Sequence, residues 1–99
     1  MKLEEKQKPI PAQKAKEMAR PLPLWSLKDR SLEREFTLDG FRAAVNFVNK
    51  VADVAERLDH HPDINIRYNK VQLVLSTHKA GGLTDEDFAL AAEIDKLAV

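Results

Sequence analysis

Apolar and polar positions alternate from Leu32 to Leu38: Leu32, Arg34, Phe36 and Leu38 fall on one side, Glu33, Glu35 and Thr37 on the other. A period of two is that of a half-buried strand. Trp25-Ser26-Leu27 supplies a partner strand, and Lys28-Asp29-Arg30-Ser31 the turn between them. The same period returns after Pro62. Ile64, Ile66 and Tyr68 alternate with Asn65 and Arg67; Val71, Leu73 and Leu75 then alternate with Gln72 and Ser76, across a turn at Asn69-Lys70. Val74 breaks the alternation and marks an edge or a subunit contact.

Between the two hairpins the period changes to that of a helix, predicted from Asp39 to Asp59. Asp39 can cap it and Gly40 is tolerable in its first turn. Its length at 1.5 Å per residue is about 31 Å. Phe41, Ala44, Val45, Val48, Ala52 and Ala55 form one apolar stripe; Phe47, Val51, Val54 and Leu58 form a second. A helix lying on a sheet needs one stripe. The second therefore predicts another element, from a second subunit. At the C-terminal end Thr84-Asp85-Glu86-Asp87 resembles a capping box, with carboxylates at the positive end of a helix dipole. The helix it starts buries Phe88, Ala91, Ala92 and Ile94, with Leu90 and Leu97 flanking.

The order β-β-α-β-β-α predicts an α+β domain: a four-stranded antiparallel sheet with helices packed on one face. Residues 25–99 make that domain. Residues 1–24 hold four of the five prolines. They read as a basic, Pro-containing arm, mobile or loosely docked, with a short helix between Ala12 and Arg20.

Composition narrows the function. The chain has 99 residues, one domain's worth, and no net charge, with 16 basic and 16 acidic residues. Zero net charge argues against nucleic acid as a partner. Charge is nonetheless uneven. Residues 1–20 carry Lys2, Lys6, Lys8, Lys14, Lys16 and Arg20 against Glu4, Glu5 and Glu17, while the last helix is acidic. There is no cysteine, so thiolate catalysis is excluded. With no apolar run of about 20 residues and no signal-peptide pattern at the N-terminus, a soluble cytoplasmic protein is expected.

The chemistry concentrates between Glu56 and Gly82. All three histidines, His60, His61 and His78, lie there. A hairpin separates the first two from the third, and a path that travels out and back can reunite them. Three imidazoles can hold zinc. Adjacent histidines rarely ligate one ion together, however, and no His-x-x-x-His pair is present, so no metal is expected. Free imidazole titrates near pH 6.5, which suits proton transfer in both directions. Glu56 stands one helical turn before His60 and can orient an imidazole. Asp59 has a weaker claim to the same role, and Asp87 reads first as a helix-start carboxylate.

A longer pattern runs through these residues: Glu56, His60-His61-Pro62, Tyr68-Asn69-Lys70-Val71, Ser76-Thr77-His78, Gly82-Leu83-Thr84, Asp87, Leu90-Ala91 and Ile94-Asp95, with Trp25 and Leu32 to Phe36 upstream. It resembles the pterin-4a-carbinolamine dehydratase family from Trp25 to Asp95. Two positions depart from that pattern: Ile64 stands where an aromatic residue is frequent, and Ala80 where some members carry cysteine. The resemblance implies the same α+β fold. It implies dehydration of a 4a-hydroxytetrahydropterin to the quinonoid dihydropterin, with no cofactor. His60, His61 and His78 would be catalytic, and Glu56, Asp59, Ser76, Thr77 and Asp87 would bind or orient. It also implies a homodimer or homotetramer. An alternative role is that of a non-catalytic binding module, since relatives act as dimerisation partners of a transcription factor or as assembly factors.

Overall fold

The computed structural model describes residues 8–97. The seven N-terminal residues, which carry Lys2, Lys6, Glu4 and Glu5 of the basic segment, lie outside that range. Helix α1 spans Ala12–Ala19, strand β1 Ser26–Leu27 and β2 Leu32–Thr37. Helix α2 spans Phe41–Leu58, β3 Asp63–Arg67 and β4 Lys70–Leu75. A single 3-10 turn, His78–Ala80, precedes helix α3 at Asp85–Asp95.

The strands form one antiparallel sheet in the order β1-β2-β4-β3. Register follows the alternation in the sequence. Leu32 pairs with Leu75, Arg34 with Leu73 and Phe36 with Val71, while Ile64 and Ile66 meet Leu73 and Val71 from the other side. Paired residues share a face, so these side chains turn together toward the helices. Leu32, Phe36, Val71, Leu73 and Leu75 join Phe88, Leu90 and Ile94 of α3 in one buried cluster. The opposite face presents Glu33, Glu35, Gln72 and Asn65. Val74 belongs to that open face. It stands on a central strand between Glu33 and Asp63, so it is not at an edge. The tip of the second hairpin is Tyr68-Asn69, one residue earlier than the alternation predicts, with Tyr68 at φ 53°.

Helix α2 corrects two expectations. Its cap position is Gly40, with extended backbone and no side-chain cap, so Asp39 does not start it. Its buried stripe is Ala44, Phe47, Val51, Val54 and Ala55. Phe47, Val51 and Val54, expected to face another subunit, are the side chains that this domain buries. Phe47 packs on Phe36 with ring centroids 4.5 Å apart. Phe41, from the other stripe, is exposed.

From residue 8 onward the N-terminal segment is not loosely docked. Ala15 and Leu22 are buried in the core cluster, Met18 and Ile10 pack against it, and the Ile10 N–H donates to Leu83 O at 2.7 Å. A polar clamp ties the last residue of α3 to Trp25 and to β2. Asp95 Oδ1 accepts from Trp25 Nε1 and from the Arg34 guanidinium, each at 2.7 Å, and Arg34 lies 4.1 Å over the Phe36 ring. Among the described residues, no helix is long and apolar enough to cross a membrane.

Candidate active site

α2 stops because Asp59 turns left-handed, at φ 54° and ψ 41°. The His60 N–H then donates to Ala55 O at 3.1 Å and the Asp59 N–H to Glu56 O at 3.3 Å. These are the two bonds of a Schellman helix end. Glycine usually holds the left-handed position, and aspartate is one of the few other residues that tolerate it. The reversal throws His60 and His61 clear of the helix. Pro62 then keeps His61 out of a helical conformation.

His78 arrives from the other side. Beyond the end of β4, Thr77 and Gly82 bridge through Thr77 N–H to Gly82 O at 2.9 Å and Gly82 N–H to Thr77 O at 3.4 Å. This bridge pinches off a loop whose tip is the 3-10 turn carrying His78. Gly81 returns the chain at φ 72°, in the region that favours glycine. At Gly82 a Cβ would stand 3.0 Å from Pro9, so the loop lies tight against the N-terminal segment.

The two arrivals enclose one cleft of about 520 Å³, lined by Asp59, His60, His61, Ser76, Thr77, His78, Lys79 and Glu86. All three histidines therefore meet, as the out-and-back path predicts. Their partners differ. His60 is mostly covered, and its Nε2 lies 2.7 Å from Oδ1 of Asp87, a residue with no exposed surface. The other oxygen, Oδ2, accepts the Thr77 hydroxyl at 2.8 Å and the Thr84 N–H at 3.0 Å. The Thr77 and Thr84 hydroxyls are 2.7 Å apart. His61 is exposed, and its Nε2 lies 2.6 Å from Glu56 Oε2, also exposed.

Glu56 thus serves His61, although the one-turn spacing points at His60. The left-handed Asp59 breaks helical spacing and swings His60 away. Asp87 is the helix-start carboxylate that the sequence indicates, since it forms a capping box with Thr84, and it is also the anchor of His60. Ser76 lines the cleft, but its hydroxyl donates to Arg30 O at 2.7 Å. Asp59 lines it too, and its clearest role is in the backbone reversal. Sequence reasoning missed Thr84, Lys79 and Glu86. Thr84 stood in the capping-box motif; only the fold brings Lys79 and Glu86 to the cleft wall.

Three comparisons bear on this arrangement. The family model described as pterin 4 alpha carbinolamine dehydratase matches residues 8–97, so it extends upstream of Trp25 through α1. A relative from Chloroflexus aurantiacus, named for pterin-4-alpha-carbinolamine dehydratase, is 57% identical over 75 residues, covering 76% of this chain and 81% of its own. A crystal structure from Brucella melitensis, described as a transcriptional coactivator/pterin dehydratase, superposes with TM-score 0.82 at 31% identity, over 89% of this chain and 96% of that one. A pterin dehydratase-like protein described as a RuBisCO assembly factor in the alpha-carboxysome shares the fold, with TM-score 0.58 at 24% identity, over 72% of this chain and 82% of its own. With the family match spanning every element of the fold and all three histidines of the cleft, this chain belongs to the pterin 4 alpha carbinolamine dehydratase family.

Proposed function

We propose that the protein is a lyase that dehydrates a 4a-hydroxytetrahydropterin to the quinonoid dihydropterin. The observation that carries this reading is the meeting of His60, His61 and His78 around one cleft, with a carboxylate on each of the first two.

Hydroxide leaves carbon poorly. One histidine donates a proton to the oxygen on C4a as the C–O bond breaks, and the oxygen departs as water. The lone pair of a ring nitrogen forms the new double bond to C4a, and a second histidine removes the proton that this leaves on the ring. One water is lost and no electrons are exchanged. Positioned groups of this kind contribute about 10²–10⁴-fold each. The Thr77 backbone is already paired with Gly82, and the His78 carbonyl accepts the Gly81 N–H at 3.1 Å, so the pterin's amide edge would be met by the remaining backbone groups of Ser76 and His78. The protein would act on a free pterin in the cytoplasm, without cofactor, as a homodimer or homotetramer.

The second reading, a binding module without catalysis, draws on the Brucella melitensis structure, whose description names a coactivator beside a dehydratase. A dehydratase assay on the purified full chain separates the two. Loss of the substrate's absorbance at a rate above the uncatalysed one supports the enzyme. A rate equal to buffer sinks it and leaves the binding module.

A further inference from the structure

The hydrogen bonds around Asp87 form a chain in which each proton has one place. An ionised carboxylate only accepts, and a threonine hydroxyl has one proton to give. Thr77 gives its proton to Asp87 Oδ2 at 2.8 Å. The 2.7 Å contact between the hydroxyls must then be Thr84 donating to Thr77. The Thr84 N–H also points at Oδ2. With Oδ2 taking these two donors, Oδ1 faces His60 Nε2 at 2.7 Å, and that contact is a bond only if Nε2 carries the proton. Thr77, Thr84 and Asp87 are all buried, so water does not offer them other partners. On the far side of the ring, His60 Nδ1 lies 3.9 Å from Glu86 Oε1, on the cleft wall.

We infer that Asp87, polarised by Thr77 and Thr84, is a positioning residue that fixes His60 as the Nε2–H tautomer, so that Nδ1 is the ring atom offered to substrate in the cleft. The consequence for the reaction rests on the proposed dehydration; the tautomer does not. In neutral form His60 is an acceptor at Nδ1. It can take a proton there and return it, while Nε2 stays bound to Asp87 throughout. Asp87 touches no substrate and acts only through the ring.

The test is Asp87→Asn. The two donors at Oδ2, from Thr77 and from the Thr84 backbone, still demand an oxygen. The amide therefore places its NH₂ at the Oδ1 position, facing His60. An NH₂ donates, so Nε2 must now accept and the ring proton moves to Nδ1. Long-range proton–nitrogen correlation spectra of the full chain with ¹⁵N-labelled histidine read the tautomer directly. They are recorded without substrate at a pH where the ring is neutral, and His60 is identified by the signal lost in His60→Gln. We expect the proton on Nε2 in the wild type and on Nδ1 in Asp87→Asn. Turnover of the pterin substrate should fall by about 10²–10⁴-fold in the variant, the scale of a wrong tautomer in a histidine-based site, with KM changed less than kcat. A wild-type His60 protonated on Nδ1 overturns the inference, as does a tautomer that stays put in a folded Asp87→Asn protein. The wild-type spectrum decides the matter even where the variant does not fold. If the wild type lacks dehydratase activity but His60 has the Nε2–H form, the proposed reaction falls and the tautomer assignment stands.

Discussion

His60 and His61 are neighbours in sequence and unlike in surroundings. Exposed residues such as His61 and His78 can be cut back without opening the core. His61→Ala and His78→Ala should lower turnover by about 10²-fold or more while the melting temperature hardly moves; wild-type rates in both would refute the acid–base assignment. His60→Ala should behave differently, because it strips the fully buried Asp87 of a partner. Leaving a buried acceptor unsatisfied costs about 1–3 kcal/mol, more for a charged group, so this variant should lose melting temperature as well as rate. Asp59 makes a separate point. At φ 54° Asp59→Gly should hold or raise stability, while Asp59→Val should cost on the order of 1–3 kcal/mol of backbone strain, readable by chemical denaturation. The histidine cluster is legible in the sequence because a hairpin must return. The pairing of Asp87 with His60 is not, because 27 residues and a left-handed turn separate them.

At the scale of the element, α2 shows where a pattern is and is not sufficient. Its apolar residues wrap so far round the helix that two stripes can be drawn, and only the neighbours decide between them. The sheet and α3 select Ala44, Phe47, Val51, Val54 and Ala55. Val51→Ala should therefore cost about 2 kcal/mol as a core truncation, while Ala52→Ser, on the exposed flank, should stay within about 0.5 kcal/mol; the reverse ranking would mean the helix is rotated. The strands were easier to read, since strict alternation leaves two faces and one choice. Their hairpin tip was not, since Tyr68 at positive φ has no signature in its residue type. Near the C-terminal end of α3, hydrogen bonds from Lys96 and then from Arg57 of α2 hold the Glu93 carboxyl below its ordinary range. Its contribution is therefore present above the usual glutamate pKa and is lost as pH falls through the lowered value. The pair is on the surface, so Glu93→Gln should change the melting temperature slightly near neutral pH and not at all in strong acid.

For the whole molecule, the N-terminal segment and the sheet edge carry the remaining predictions. Prolines and charges make residues 1–24 read as an arm, yet Ala15, with Met18 and Ala19 beside it, docks α1 on the core. A chain beginning at Arg20 loses the packing of Ile10, Ala15 and Met18, and should be less stable by about 2 kcal/mol, which for a domain of this size is about 10 °C in Tm. An unchanged Tm would return the segment to a loose arm. Self-association needs a new physical motive, since the stripe that suggested it is buried in the domain's own core. The sheet order supplies one, because among the described residues β3 has β4 on one side only, which leaves the backbone donors and acceptors of its outer edge open to another strand. The homodimer or homotetramer proposed above would be built by pairing a second copy there. An antiparallel pairing centred on Asn65 would set Asp63 of each copy opposite Arg67 of the other, so that the strand complements itself in charge as well as in hydrogen bonding. Sedimentation at micromolar concentration should then give a multiple of 11.2 kDa. Arg67→Asp should weaken the association by placing like charges in register, and adding Asp63→Arg should restore it. Association untouched by Arg67→Asp would move the interface off this edge, and an 11.2 kDa species alone in the wild type would remove it.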